Sequence, residues 1–287
     1  MSAVPSHAGD PAAQARSAER ARRVAAASHG AFVLHSYDWS ESSLIVELFT
    51  RDVGRIVAAA KGAKRPTSQL RAVLMPFQPI SVQLARHRGD EASEVRTLRS
   101  AEWGGGPTVA MRGNAWFAGF YLNELVLRLL ARDDPHPRLF DAYAGTLPRL
   151  AGPEASAEAA LRAFELLLLH ETGVLPELDR TTLTQAPLAG NGRYALRAAQ
   201  GLVEAAAGEP SLTGGVCLAL ATGLQAWSAQ ASALDTLAQL QDACALGRQT
   251  LKAQLRSQLH YHLGTATLRT RQVMVDTQRL LEAGTPR

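Results

Sequence analysis

Two cysteines, Cys217 and Cys244, are all that the sequence offers, too few for a disulfide framework or a four-cysteine zinc site. Both fall in apolar helical sequence and read as plain buried thiols. Long hydrophobic runs are missing too. Stretches such as Leu166–Leu169 fall far short of the roughly 18 residues that span a bilayer, so no membrane role is expected. Arg16, Arg20, Arg22 and Arg23 are followed only by the short Val24–Ala27 run, which is no secretory signal. A cytoplasmic location is the expectation.

The motifs of common enzymes are absent as well. No G-x-x-x-x-G-K-[ST] stretch is present to cradle a nucleotide phosphate, and Lys61-Gly62 has the wrong order. G-x-S-x-G, H-E-x-x-H and C-x-x-C are all missing, which removes the usual anchors for a nucleophile or a metal. His260 and His262 stand two apart and would leave a helix on different sides. His136, in Asp133-Asp134-Pro135-His136-Pro137, follows carboxylates, but a helix-ending turn accounts for that cluster. Glu165 and Glu171 lie six apart and do not read as a catalytic pair. The expectation is a protein that is not an enzyme and holds no metal or cofactor.

What is present is a folded composition, 46% hydrophobic and 20% charged over 287 residues, a length that suggests two domains. Residues 1–28 are Ala, Ser, Pro and Arg with no sustained apolar period, and read as a disordered tail. From 29 to 103 the pattern is that of a small β unit. Five runs occur, Ala31–Ser36, Ser43–Phe49, Arg55–Ala60, Ile80–Arg86 and Glu94–Ser100, with Gly54 and Gly89-Asp90 at turns and Phe32, Phe49 and Phe77 as core. Five short strands in this length fit a closed barrel. After the breaker Gly104-Gly105-Gly106-Pro107 the period turns helical, so 108–287 reads as an α-helical domain. Helices are expected near 115–131, 157–171, 216–229, 233–243 and 246–263. Residues 178–192 are turn-rich and poorly defined. The class is α+β, an OB-type barrel followed by a helical domain.

The net charge of +4 names no partner, but its distribution does. Arg55, Lys61, Lys64, Arg65, Arg71, Arg86 and Arg88 occupy a span with no Asp or Glu. On a barrel that span makes a positive surface suited to phosphate backbones. Tyr37 and Trp39, just past the first strand, are candidate base-stacking platforms. A second cationic stripe, Arg248, Lys252, Arg256 and His260, recurs every four residues beside Leu251, Leu255, Leu259 and Leu263. It points to nucleic acid or an acidic peptide.

These residues resemble a known family. Ala31-Phe32-Val33-Leu34-His35-Ser36, Trp39-Ser40-Glu41-Ser42-Ser43-Leu44, Gly54-Arg55, Ala60-Lys61-Gly62-Ala63 and Pro76-Phe77 look like the N-terminal signature of RecO proteins. Leu98-Arg99-Ser100-Ala101-Glu102, Tyr121-Leu122-Asn123-Glu124-Leu125 and Leu161-Arg162-Ala163-Phe164-Glu165-Leu166 continue the likeness, and Leu268-Arg269-Thr270-Arg271 is loosely similar to the family's basic C-terminal motif. The resemblance implies a recombination mediator in DNA repair. Such a protein binds single- and double-stranded DNA, anneals complementary strands and, with RecR, loads RecA on strands coated by single-strand-binding protein, in association with the nucleoid. It also implies contact with that coating protein's acidic C-terminal tail, for which Arg128 and Arg132 beside Leu125 and Leu129 are the candidates. The alternative is a protein-interaction adaptor that docks acidic peptides, with incidental DNA contact. Many relatives carry four zinc-binding cysteines where this chain has Leu178-Asp179-Arg180-Thr181-Thr182, so this segment is expected to be held by packing alone.

Overall fold

A computed structural model describes residues 28–85, 94–106, 109–264 and 268–283. The expected tail therefore lies outside the described residues but for Ser28. Strands β1 (Ser28–Asp38), β2 (Leu44–Thr50), β3 (Gly54–Ala60), β4 (Ile80–Leu84) and β5 (Val95–Trp103) close a barrel in the order β1-β2-β3-β5-β4. β3 and β5 pair parallel, while β4 meets β1 antiparallel and completes the ring. This is the OB arrangement, a small closed barrel with no free edge to pair wrongly. A short helix, α1 (Gln69–Val73), links β3 to β4.

Ala31-Phe32-Val33-Leu34 does not alternate in polarity because both of its faces are buried. Ala31 and Val33 point inward with Val46, Leu48, Ile56 and Val82 to fill the barrel. Phe32, Leu34 and Phe49 point outward into a second, larger core shared with the helices. Phe32 lies 5.2 Å from Phe140 and 5.0 Å from Tyr143, ring centre to ring centre, with Phe49 on the same two rings. The register shifts between Val33 and His35, and a bulge of this kind leaves carbonyls outside the ladder. Asn123, fully buried, donates to the Val33 and Leu34 carbonyls and accepts from the Tyr143 hydroxyl at 2.6 Å.

The helical domain comprises α2 (Asn114–Leu129), α3 (Pro137–Leu150), α4 (Glu154–Glu171), α5 (Gly214–Ser228), α6 (Ala233–Leu263) and α7 (Arg269–Ala283). α3, whose Pro137 stands at its first turn, was not foreseen from the sequence. Nor was the three-stranded sheet β6 (Arg193–Arg197), β7 (Gly201–Glu204) and β8 (Leu212–Thr213). The sheet and the segment before it are not held by packing alone. Buried Leu178, Tyr194, Leu196 and Leu202 supply the apolar contacts. Gln254 of α6 accepts from the Leu196 amide at 3.1 Å and donates to the Pro210 carbonyl, and the Thr182 hydroxyl accepts from Leu202.

Two backbone features bear on the site. Gly54 has φ +82°, and a Cβ there would lie 2.1 Å from the Asp134 carbonyl oxygen, so only glycine lets the β2–β3 turn meet the α2–α3 connection. Phe77, buried at 1% exposure, has φ +65°, a conformation that costs a bulky residue about 1–3 kcal/mol.

Candidate nucleic-acid interface

The loop after β3 is braced against the β1–β2 turn. Lys64 donates its amide to the Ser42 carbonyl at 3.0 Å, and the Gly62 amide donates to the Ser43 hydroxyl. The Lys64 ammonium lies 3.2 Å from Asp38 and donates to the Ser40 carbonyl. These contacts bring the basic loop beside the end of β1, which carries Tyr37, and the turn that follows, which carries Trp39. Both rings stand in solvent, at 49% and 56% exposure, and Tyr37 is steadied edge-on by His35 at 4.4 Å. Lys61, Arg65 and Arg71 are exposed, and among the described residues none has a carboxylate partner. Lys64 and Arg71 border a depression of about 310 Å³ with Leu44, Ala63 and Leu74. Cations and flat rings on one rim can hold phosphates while bases stack.

Four groups of candidate residues have other surroundings than expected. Arg55 is not on this rim. Its side chain, 13% exposed, bonds Glu47 at 3.1 Å and the Leu130 carbonyl, so it belongs to the seam between the domains. An acid-free window in sequence could not reveal Glu47, which sits on the neighbouring strand. Arg132 joins the same seam through Glu47 and Glu94, and Arg128 pairs with Glu124 one turn back, so both candidate tail-binding cations face carboxylates of this chain. Arg248 leaves the predicted stripe, because at φ 21°, ψ −106° it kinks α6 and breaks the helical phase. Lys252 and Arg256, expected to meet DNA, line a pocket of the helical region. Arg86 and Arg88 lie outside the described residues.

That pocket, about 600 Å³, opens between α2, α4, α6 and α7. Phe117, Ala118, Leu161, Leu259 and Met274 form apolar walls, and Arg112, Arg162, Lys252, Arg256 and His260 supply positive or titratable groups. Glu154 and Glu158 are its acids, and Lys252 lies 2.7 Å from Glu158. Beneath it, Arg162 pairs with fully buried Glu165 at 2.8 Å, and the Tyr121 hydroxyl donates to the same carboxylate. Burial pushes the Glu165 carboxyl up against the pull of Arg162 and Tyr121. Among the described residues nothing accepts from Arg162 Nε. The sequence signal for this floor was a lone arginine inside Ala160-Leu161-Arg162-Ala163-Phe164, a position that packing alone would fill with an apolar residue.

His136 and the two cysteines have structural surroundings. His136 stands 2.9 Å from Glu171 and 3.3 Å from Asp134, and Glu171 also accepts from the Trp227 indole. Burial pushes the Cys217 thiol up to about 11 and that of Cys244 further still. Among the described residues no cluster of three or more metal-ligating side chains occurs, and no helix is long and apolar enough to cross a membrane.

A closed OB barrel packed against helices, with exposed cations and rings on the barrel and a cation-lined pocket among the helices, defines the chain as an OB-barrel protein with a helical C-terminal region. The family description "Recombination protein O N terminal" matches residues 26–103, and "Recombination protein O C terminal" matches 112–271. The chain is 52% identical over 252 residues to DNA repair protein RecO of Delftia acidovorans, covering 87% of this chain and 96% of that protein. It is 51% identical over 262 residues to DNA repair protein RecO of Variovorax paradoxus, with the same coverage. The chain belongs to the RecO family.

Proposed function

We propose that this chain acts in DNA repair as a recombination mediator of the cytoplasm and nucleoid, with no bond made or broken by the protein. In this reading the barrel rim binds single- and double-stranded DNA and brings complementary strands together. Phosphate neutralisation releases counterions and lowers strand repulsion, and base pairing then drives annealing. With RecR, the protein helps RecA replace single-strand-binding protein. The observation that carries this is the rim itself: Lys61, Arg65 and Arg71 are exposed and lack carboxylate partners among the described residues, and Lys64 ties the 61–65 loop to the β1–β2 turn beside exposed Tyr37 and Trp39.

The acidic tail of the coating protein is assigned to the pocket between α2, α4, α6 and α7. An acidic peptide with an apolar end needs cations and a greasy wall together, and the cations and apolar walls there meet that need. This pocket would also suit an adaptor that docks acidic peptides, the second reading. Strand annealing separates the two. Replacing Lys61, Arg65 and Arg71 by Ala should abolish annealing of naked strands. Replacing Arg112 and Arg256 by Ala should spare naked strands and slow annealing of coated ones. Undiminished annealing by the rim variant would overturn the mediator reading and leave the adaptor.

A further inference from the structure

The first half of α2 carries more apolar surface than the core uses. Trp116 and Phe120, four residues apart, are each 38% exposed. Their rings stack at 5.9 Å with planes 28° apart, and Phe77 props them from below at 5.4 and 5.0 Å. Phe77 reaches that place only in its left-handed backbone conformation, and only because Gly119 has no side chain; a Cβ there would come within 2.7 Å of the Phe77 ring. A strained, buried residue that rigidifies two half-exposed rings is an arrangement that points to a ligand.

The surroundings choose the ligand's chemistry. On one side the chain runs back from Phe77 through exposed Met75 to Arg71 of the barrel rim, only six residues away. On the other, the Thr270 hydroxyl reaches the Phe120 carbonyl, and the amides of Arg269 and Thr270 both donate to Glu124. The backbone of Arg269, whose side chain is exposed, is thereby held at Glu124, one turn from Phe120. Glu124, the acid on this stripe, is engaged by those amides and by Arg128. Flat rings set between cations fit a single-stranded nucleic acid, whose bases stack while its phosphates are neutralised.

We infer that Trp116 and Phe120 form a second base-stacking platform, carrying single strands from the barrel rim onto the helical domain. This rests on the rim's being a strand-binding surface. The test uses the full chain and unstructured pyrimidine strands of about 6 and about 30 nucleotides, within and beyond the reach of one OB barrel. Trp116→Leu with Phe120→Leu keeps apolar cover over Phe77. It should weaken binding of the long strand about tenfold or more, at a stacking contribution of 1–3 kcal/mol per base, and leave the short strand unaffected. In the unaltered protein, a long strand bearing 5-iodouracil should photo-crosslink to the peptide containing Trp116 and Phe120. Unchanged long-strand affinity, with cross-links confined to Tyr37 and Trp39, would overturn the platform, assign the patch to a protein partner and leave the rim intact. Failure of the unaltered protein to bind either strand would take down both.

Discussion

At the seam between the two domains Arg51, Arg55, Arg96 and Arg132 each face a carboxylate, whereas along the barrel rim Lys61, Arg65 and Arg71 face none among the described residues. Arg51 meets Asp141 through two bonds of 2.9 Å, Arg96 meets Asp133, and Arg55 and Arg132 converge on Glu47. The same residue type thus serves two ends, decided by what the tertiary structure sets opposite it. A paired arginine locks one domain to the other. An unpaired one leaves a field for a polyanion, and Lys64, with Asp38 at 3.2 Å, stands between the two cases.

The seam is where substitutions should cost stability. Glu47→Ala carries the largest expected effect. It removes a 6%-exposed carboxylate and strands the Arg55 charge in a site where it is 13% exposed, costing about 3–4 kcal/mol. Thermal unfolding should show it, and a loss below about 1 kcal/mol would demote Glu47 to a surface pair.

Next comes His136, against which the α2–α3 connection is fixed. Its hydrogen bond to Glu171 raises its pKa, burial opposes this, and Asp134 adds to the rise. Glu171 is held low, first by His136, against burial and with help from Trp227. A raised histidine contributes fully below its unfolded pKa of about 6.5 and loses its contribution as pH rises through the folded value. A lowered glutamate contributes fully above about 4.3 and loses its contribution as pH falls through the folded value. The pair is therefore strongest between roughly pH 4.3 and 6.5. His136→Gln should cost about 1 kcal/mol at pH 6, or about 2–4 °C in Tm, and much less at pH 9. A loss equal at both pH values would mean that the charge on His136 contributes nothing.

The smallest effect belongs to Arg51→Ala. Its pair with Asp141 is half in water, at 47% and 33% exposure, and should be worth about 0.5 kcal/mol, screened further by salt. A loss that persists in high salt would show packing by the arginine stem instead.

The barrel was legible because its strands obey local rules: turn residues at Gly54 and short β-branched runs mark it without reference to anything distant. Helices α2 and α4 were legible from their apolar period. The sheet β6–β8 was not, since its strands are at most five residues long and take their order partly from Gln254, far along the chain. Of the candidate site, Tyr37, Trp39 and the 61–65 loop could be read because neighbouring sequence places them at an exposed strand end and on exposed turns. Arg55 could not, because its partner Glu47 lies eight residues back and becomes its diagonal neighbour only once β2 and β3 pair. Lys252 and Arg256 showed helical spacing but not what their face meets, which depends on α2 and α4. Trp116 and Phe120 left a signal that went unused. α2 carries a second apolar stripe besides Phe117, Tyr121 and Leu125, more than one buried face requires.

The decisive measurement is the salt dependence of single-strand binding for two variants side by side. Lys61, Arg65 and Arg71 replaced together by Ala should lower the magnitude of the log-log slope by about 2, at roughly 0.7 per phosphate contact, with Tm unchanged. Arg51→Ala should leave the slope as it was. Equal slopes for the rim variant and the unaltered protein would contradict the account, because the rim cations would then be merely solvated.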